Sequence, residues 1–152
     1  VAETSDPNQV IKVLKDTPRG AAYNINQVDI KGNIQNIEYT STFLAASNPS
    51  SPFVHTNHYL SPELTKFEDN NDSGGTKLRY KVAHDKVKPQ MSVEEITDIT
   101  NDSSEGDEKS IMNKRTIGKM VVDMNNLLAK IWLKREAEKG WVEYNLKEFF
   151  KI

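Results

Sequence analysis

Three features of this 152-residue chain predict an α+β fold. Strand-like runs are joined by tight turns at 29–33 and 125–126, too short for the crossovers that parallel strands require. Helix-start signals stand at Asp6-Pro7 and again at Ser92. The pattern runs strands, helices, strands rather than alternating, about six strands and three helices in all. The expected architecture is an antiparallel sheet with helices on one face, in a single domain over 1–152.

The first helix starts with Asp6 as N-cap, Pro7 at the first helical position and Gln9 as capping-box partner. Val10, Ile11 and Leu14 share one face, with Lys12 and Lys15 off it. The Thr17-Pro18 step ends the helix, because proline pushes its predecessor out of the helical region. From Ala21 the period changes to strand, with Tyr23 and Ile25 on one side and Val28 and Ile30 on the other. A hairpin turn follows at Asp29 to Asn33, where Gly32 supplies the positive φ. One strand is expected from Ile34 to about Ala46, and another from Phe53 to Leu60 after the loop Asn48 to Pro52.

Residues 68–76 are acidic, small and expected to be a flexible loop. Leu78, Val82 and Val87 predict a helix that stops before Pro89, and Ser92 with Glu95 forms a second capping box. Thr116 to Met124 and Leu127 to Leu133 read as a hairpin turning at Asn125-Asn126, with a last strand at Trp141 to Leu146.

Composition excludes several classes. Lys and Arg number 20 against 22 Asp and Glu, a net charge of −2, without the basic excess of a nucleic-acid binder. No apolar run approaches the ~20 residues that cross a bilayer, and Val1 to Gln9 lacks the form of a signal peptide. The expectation is a soluble protein, cytoplasmic or secreted. The chain has no cysteine, so it holds no disulfide, thiolate metal site or cysteine nucleophile of its own.

Histidines stand at positions 55, 58 and 84. On a strand, the separation of His55 from His58 puts them on opposite faces, which argues against a metal site. His84, among Lys81, Asp85 and Lys86, reads as a solvated helix residue. Asp69 and Asp72 lack EF-hand spacing and read as a solvated loop. No Gly-x-Ser-x-Gly elbow and no phosphate-binding glycine loop occurs. Neither a cofactor nor a metal is expected. The segment Val54-His55-Thr56-Asn57-His58-Tyr59-Leu60 is different, because it places amide and imidazole groups in the middle of an expected strand. Asn57 and Tyr59 then share a face with His55. An asparagine amide carries two N–H groups and no charge to desolvate, which suits it to an oxyanion; the alternative is an asparagine bonded at a strand end or bulge.

Thr56-Asn57-His58-Tyr59-Leu60, followed by Ser61 and Glu63, resembles the Asn-His-Phe segment of the penicillin acyltransferase family, grouped with the choloylglycine hydrolases. Val10 to Pro18 is similar to a helix of that family, and Ala22 to Ile25, Asp29 to Gly32 and Glu38 to one of its hairpins. Ser92 to Asp102, Thr116 to Asp123, Ile131-Trp132 and Trp141 to Leu146 resemble its later elements, so the likeness covers nearly the whole chain.

The resemblance implies the N-terminal-nucleophile hydrolase fold, layered α-β-β-α. It also implies acyl transfer through an N-terminal cysteine whose α-amine acts as base. By the same resemblance Asn57 is the oxyanion donor, and His58 and Tyr59 beside it are expected at the substrate. Departures accompany it. Val1 has no nucleophilic side chain, and the family's Asp and Arg near the cysteine are missing. The family's Ser-Ile-Cys-Arg stands here as Ser110-Ile111-Met112-Asn113, with Arg115 two residues on and sharing strand parity with the missing arginine.

The leading expectation is therefore the C-terminal portion of a linear-amide hydrolase or acyltransferase. Its partners would be an acyl-amide small molecule and a missing N-terminal half, with no nucleic acid and no membrane. Half of a two-sheet sandwich exposes an apolar sheet face, which a fragment hides by dimerising, swapping strands or rearranging. The alternatives are a non-catalytic binding or structural module of the same fold, and an unrelated α+β domain.

Overall fold

The computed structural model describes residues 6–29, 31–68 and 74–148, which divide into two compact units at Asn71/Asp72. Each unit contains one three-stranded antiparallel sheet. The class is α+β, with the strands shared between two sheets where a single sheet was expected.

In the N-terminal unit, helix α1 spans Pro7–Asp16. Asp6 Oδ1 accepts from Asn8 N at 2.9 Å, Pro7 fills the first turn, and Thr17 leaves the helix in extended conformation before Pro18. Arg19 folds back to donate to the Leu14 carbonyl, which the end of the helix leaves without a helical partner. Its Nε donates to Thr40 O at 2.8 Å, which ties the helix end to the sheet.

Strands β1 (Tyr23–Val28), β2 (Ile34–Tyr39) and β3 (Leu44–Ser47) pair in that order, with β2 central. Asp29 Oδ1 accepts from Lys31 N at 2.8 Å and Asn33 N at 2.9 Å, and Gly32 has φ +81°, so the first hairpin turn is the expected one. The register sets Ile25 opposite Ile37 and Tyr39 opposite Leu44. These residues form the face that packs on Val10, Ile11 and Leu14 of α1. Ile37 is 0% exposed and Val10 1%.

Strand alternation then sends Asn24, Asn26, Asn36 and Glu38 to the opposite face. Asn36 and Glu38 are nonetheless buried. Asn24, half-buried, donates to the side chain of buried Asn36 and accepts from Nδ2 of exposed Asn26 at 2.8 Å, so the buried amide oxygen has a partner.

Two expectations are corrected here. The single strand from Ile34 to Ala46 is broken at 40–43, where Thr40 Oγ1 accepts from Thr42 N at 3.2 Å and Phe43 N at 2.9 Å. That hydroxyl offers the backbone a turn in place of the ladder, and β3 returns to pair with β2. Residues 53–60 form no strand and lie in irregular conformation.

In the C-terminal unit, α2 spans Thr76–Lys86, α3 Val93–Thr100 and α4 Gly106–Lys109. Gly75 caps α2 in the left-handed region, φ +65°. The loop expected at 68–76 is described at Glu68 and from Gly74 on; positions 69–73, including Asp69 and Asp72, lie outside the described residues, as does Ile30. Ser92 and Glu95 complete the second capping box, with Glu95 N donating to Ser92 Oγ at 3.1 Å and Ser92 N to Glu95 Oε2 at 2.8 Å.

Strands β4 (Gly118–Asp123), β5 (Leu128–Leu133) and β6 (Val142–Asn145) follow. Asp123 Oδ1 accepts from the amides of Asn125 and Asn126, which sets the expected turn. Helix α3 packs on β4, where Val121 is buried, and Glu94 pairs with Lys130 at 3.5 Å. Lys119, on the same face, lies over the rings of Trp132 (4.4 Å) and Trp141 (5.0 Å). The opposite face presents Met120, Val122, Val142 and Tyr144, all exposed.

Candidate functional site

Glu38 is the residue from which the site is built. It lies on the central strand of the first sheet, on the face away from α1, with a side chain that is 0% exposed. A carboxylate in such a place is costly unless donors surround it. Its Oε1 accepts from His55 Nε2 at 2.7 Å and from Leu60 N at 2.6 Å. Its Oε2 accepts from Ser61 N at 2.7 Å and from the Ser61 hydroxyl. Burial pushes the Glu38 carboxyl up, but the bonds from His55, Ser61 and the Leu60 and Ser61 amides outweigh it and hold the group at about 2. The group is therefore ionised at neutral pH, and the His55 nitrogen facing it carries the proton.

These bonds explain the irregular backbone of residues 53–60. In a strand, the amides of Leu60 and Ser61 would need partners on a neighbouring strand. Here one carboxylate takes both, and the chain from His55 to Ser61 forms a loop closed on Glu38. Tyr59 N adds a bond to Glu68 Oε1 at 2.5 Å, and Tyr59 Oη donates to Tyr39 O at 3.4 Å. Burial, then the nearby Glu38 and Glu68 charges, raise the Tyr59 phenol above its ordinary value and keep it a donor.

The tip of the loop faces a groove of about 670 Å³, lined by Asn24, His55, Asn57, His58, Tyr59 and Glu68 among others. Asn57 is exposed there. Thr56 Oγ1 and His58 Nδ1 are 3.0 Å apart and share a hydrogen bond. The structure thus brings Asn57, His58 and Tyr59 to one cavity. The strand alternation that was to separate His58 from Asn57 does not operate, because there is no strand.

Arg115 is placed differently from the expectation. It lies in the C-terminal unit, in a turn rather than a strand, so it has no strand parity with Asn113. Asn113 builds that turn, with Oδ1 accepting from Arg115 N at 2.9 Å and Nδ2 donating to Ser110 O at 2.9 Å. The Arg115 guanidinium is exposed and donates to Glu108 O at 3.3 Å.

His84 is the exposed helix residue it was read to be, stacked on Tyr80 with ring centres 5.7 Å apart. Among the described residues, no group of three or more histidine, aspartate or glutamate side chains is arranged to hold a metal ion. Among the same residues, no helix is long and apolar enough to cross a membrane.

Sequence reasoning did not find the role of Glu38. The available signal was a charged residue inside an otherwise β-rich run, a position that demands a buried partner.

The arrangement is an exposed asparagine on a loop bonded to a buried carboxylate, lining a groove large enough for a small organic molecule. A family model described as acyl-coenzyme A:6-aminopenicillanic acid acyl-transferase matches residues 1–138. The chain belongs to that family. No curated protein and no solved structure gives a match. Within the acyl-transferase family match fall Glu38, the His55–Ser61 loop and Arg115, while the last strand, Val142–Asn145, lies beyond it.

Proposed function

We propose that this chain serves acyl transfer at a linear amide, as the C-terminal portion of a hydrolase or acyltransferase with an N-terminal nucleophile. The observation that carries this reading is Asn57, an exposed residue lining the groove, on a loop whose flanks are bonded to Glu38. The 152 residues contain no cysteine, so the nucleophile belongs to a segment outside this sequence. A thiol there adds to the carbonyl carbon of the amide, and the α-amine takes its proton. Asn57 Nδ2–H donates to the oxygen as it becomes negative. Collapse of the tetrahedral intermediate breaks the C–N bond, the α-ammonium returns the proton to the leaving amine, and a thioester remains. Water or a second amine then attacks the thioester and releases the thiol. His58 and Tyr59 line the same groove and contact the substrate.

Two measurements test this. The natural protein, isolated from its own cells, is expected to include a segment with an N-terminal cysteine, seen by intact mass and N-terminal sequencing. In that protein Asn57→Ala is expected to lower kcat for a linear acyl amide by roughly 10²–10³, the usual effect of losing one oxyanion donor. Wild-type turnover by the Asn57→Ala protein overturns the role of Asn57.

The second reading is a binding module of the same family. Met112 and Asn113, where the resembling motif has cysteine and arginine, favour it. A natural product with no cysteine-led segment, and no turnover of acyl amides, selects this reading over the first.

A further inference from the structure

We propose that Glu38 is a positioning residue for Asn57, fixing through the backbone of the 55–61 loop where the amide stands in the groove. This rests on the reading of Asn57 as an oxyanion donor and extends it to a residue that touches no substrate.

The geometry supports it at three levels. The platform is rigid, because Glu38 sits on β2, hydrogen-bonded to β1 on one side and β3 on the other. The bonds are numerous and enclosed, with four donors on two oxygens and side-chain exposures of 0% for Glu38 and 3% for His55. They also fall on both sides of Asn57. His55 and Leu60 converge on the same oxygen, Oε1, and Ser61 takes the other. The loop has no ladder of its own, and the Glu38 carboxylate bonds it on both sides of Asn57, with Glu68 accepting from Tyr59 N between them. A misplacement of an oriented group by about 1 Å can cost 10²-fold in rate, which makes such an anchor consequential for catalysis.

The test is a double-mutant cycle between Glu38→Gln and Asn57→Ala in the complete natural protein, with hydrolysis of an acyl p-nitroanilide as readout. Glutamine keeps the volume but turns one oxygen into an N–H donor facing other donors. Glu38→Gln alone is expected to lower kcat by about 10- to 100-fold with KM within about twofold. On the Asn57→Ala background the same change is expected to have little further effect, because the amide it places is gone. A merely structural role for Glu38 predicts the same fold-loss on both backgrounds, and that outcome overturns the proposal, as does wild-type turnover by Glu38→Gln. Wild-type turnover by Asn57→Ala removes the oxyanion reading and this inference with it, so the two failures are told apart. Should Glu38→Gln not fold, Ser61→Ala takes its place in the cycle. It removes only the hydroxyl donor, and the same non-additivity, on a smaller loss in kcat, decides the matter.

Discussion

His55 Nε2 stands 2.7 Å from Glu38 Oε1, and neither side chain reaches solvent to any extent. This contact gives the N-terminal unit an acid-sensitive joint. Burial alone would raise the Glu38 carboxyl, yet its hydrogen bonds lower it from 4.5 to about 2. The folded state therefore binds the proton less readily than the unfolded chain. The stabilisation is complete above about 4.5 and is lost as pH falls towards about 2. Thermal melts over that range are expected to show the wild type losing its advantage over Glu38→Gln as acid is added. A gap that stays constant with pH contradicts the assignment.

The core between α1 and the first sheet gives a second expectation. Ile37 is 0% exposed and packs with Val10 and Leu14. Ile37→Ala is expected to cost about 2–5 kcal/mol, from lost burial and the cavity left behind. Urea unfolding followed by circular dichroism measures it, and a cost under about 1 kcal/mol would mean that the site collapses freely.

Much of this architecture is legible in the sequence wherever the signal is local. Asp6-Pro7 starts a helix because an acceptor and a ring-fixed φ lie within one turn of each other, and Ser92-Glu95 does the same. Asp29 and Asp123 set the two hairpins by bonding amides two to four residues away. The Phe53 to Leu60 segment fails as a strand because its decisive bond spans 22 residues, from Leu60 N to Glu38. Alternating aromatic and β-branched residues give it strand character that the tertiary bond overrides. The break at Thr40 was closer to readable, since a Thr-Ser-Thr run offers hydroxyls to its own backbone. At the site, Asn57 was legible as a chemical type in an unusual place, whereas its anchor was not.

Two glycines separate strain from crowding. Gly75 has φ +65°, and a Cβ there would lie 2.8 Å from Lys109 Cβ and 3.1 Å from its Cα. Gly32 has φ +81° with nothing within 4 Å. Both Ala substitutions are expected to destabilise by more than about 1 kcal/mol through backbone strain. Gly75→Ala is expected to cost more, since α2 and α4 must also part. Equal losses of melting temperature would show that Lys109 yields without cost.

The Ser92 cap provides a smaller and cleaner measurement. Ser92→Ala removes the acceptor for Glu95 N and is expected to cost about 1 kcal/mol. Ser92→Asp, which preserves an acceptor, is expected to restore most of it in the same denaturation series.

The anchoring of the loop at its base separates two properties that a strand would fuse. Thr56, Asn57 and His58 make none of the four bonds to Glu38, which come from His55, Leu60 and Ser61 alone. In a strand, exchanging a side chain risks the register of its whole row. On this loop, a substitution at the tip leaves the bonds from His55, Leu60 and Ser61 to Glu38 in place, so the loop keeps its address when a tip side chain changes.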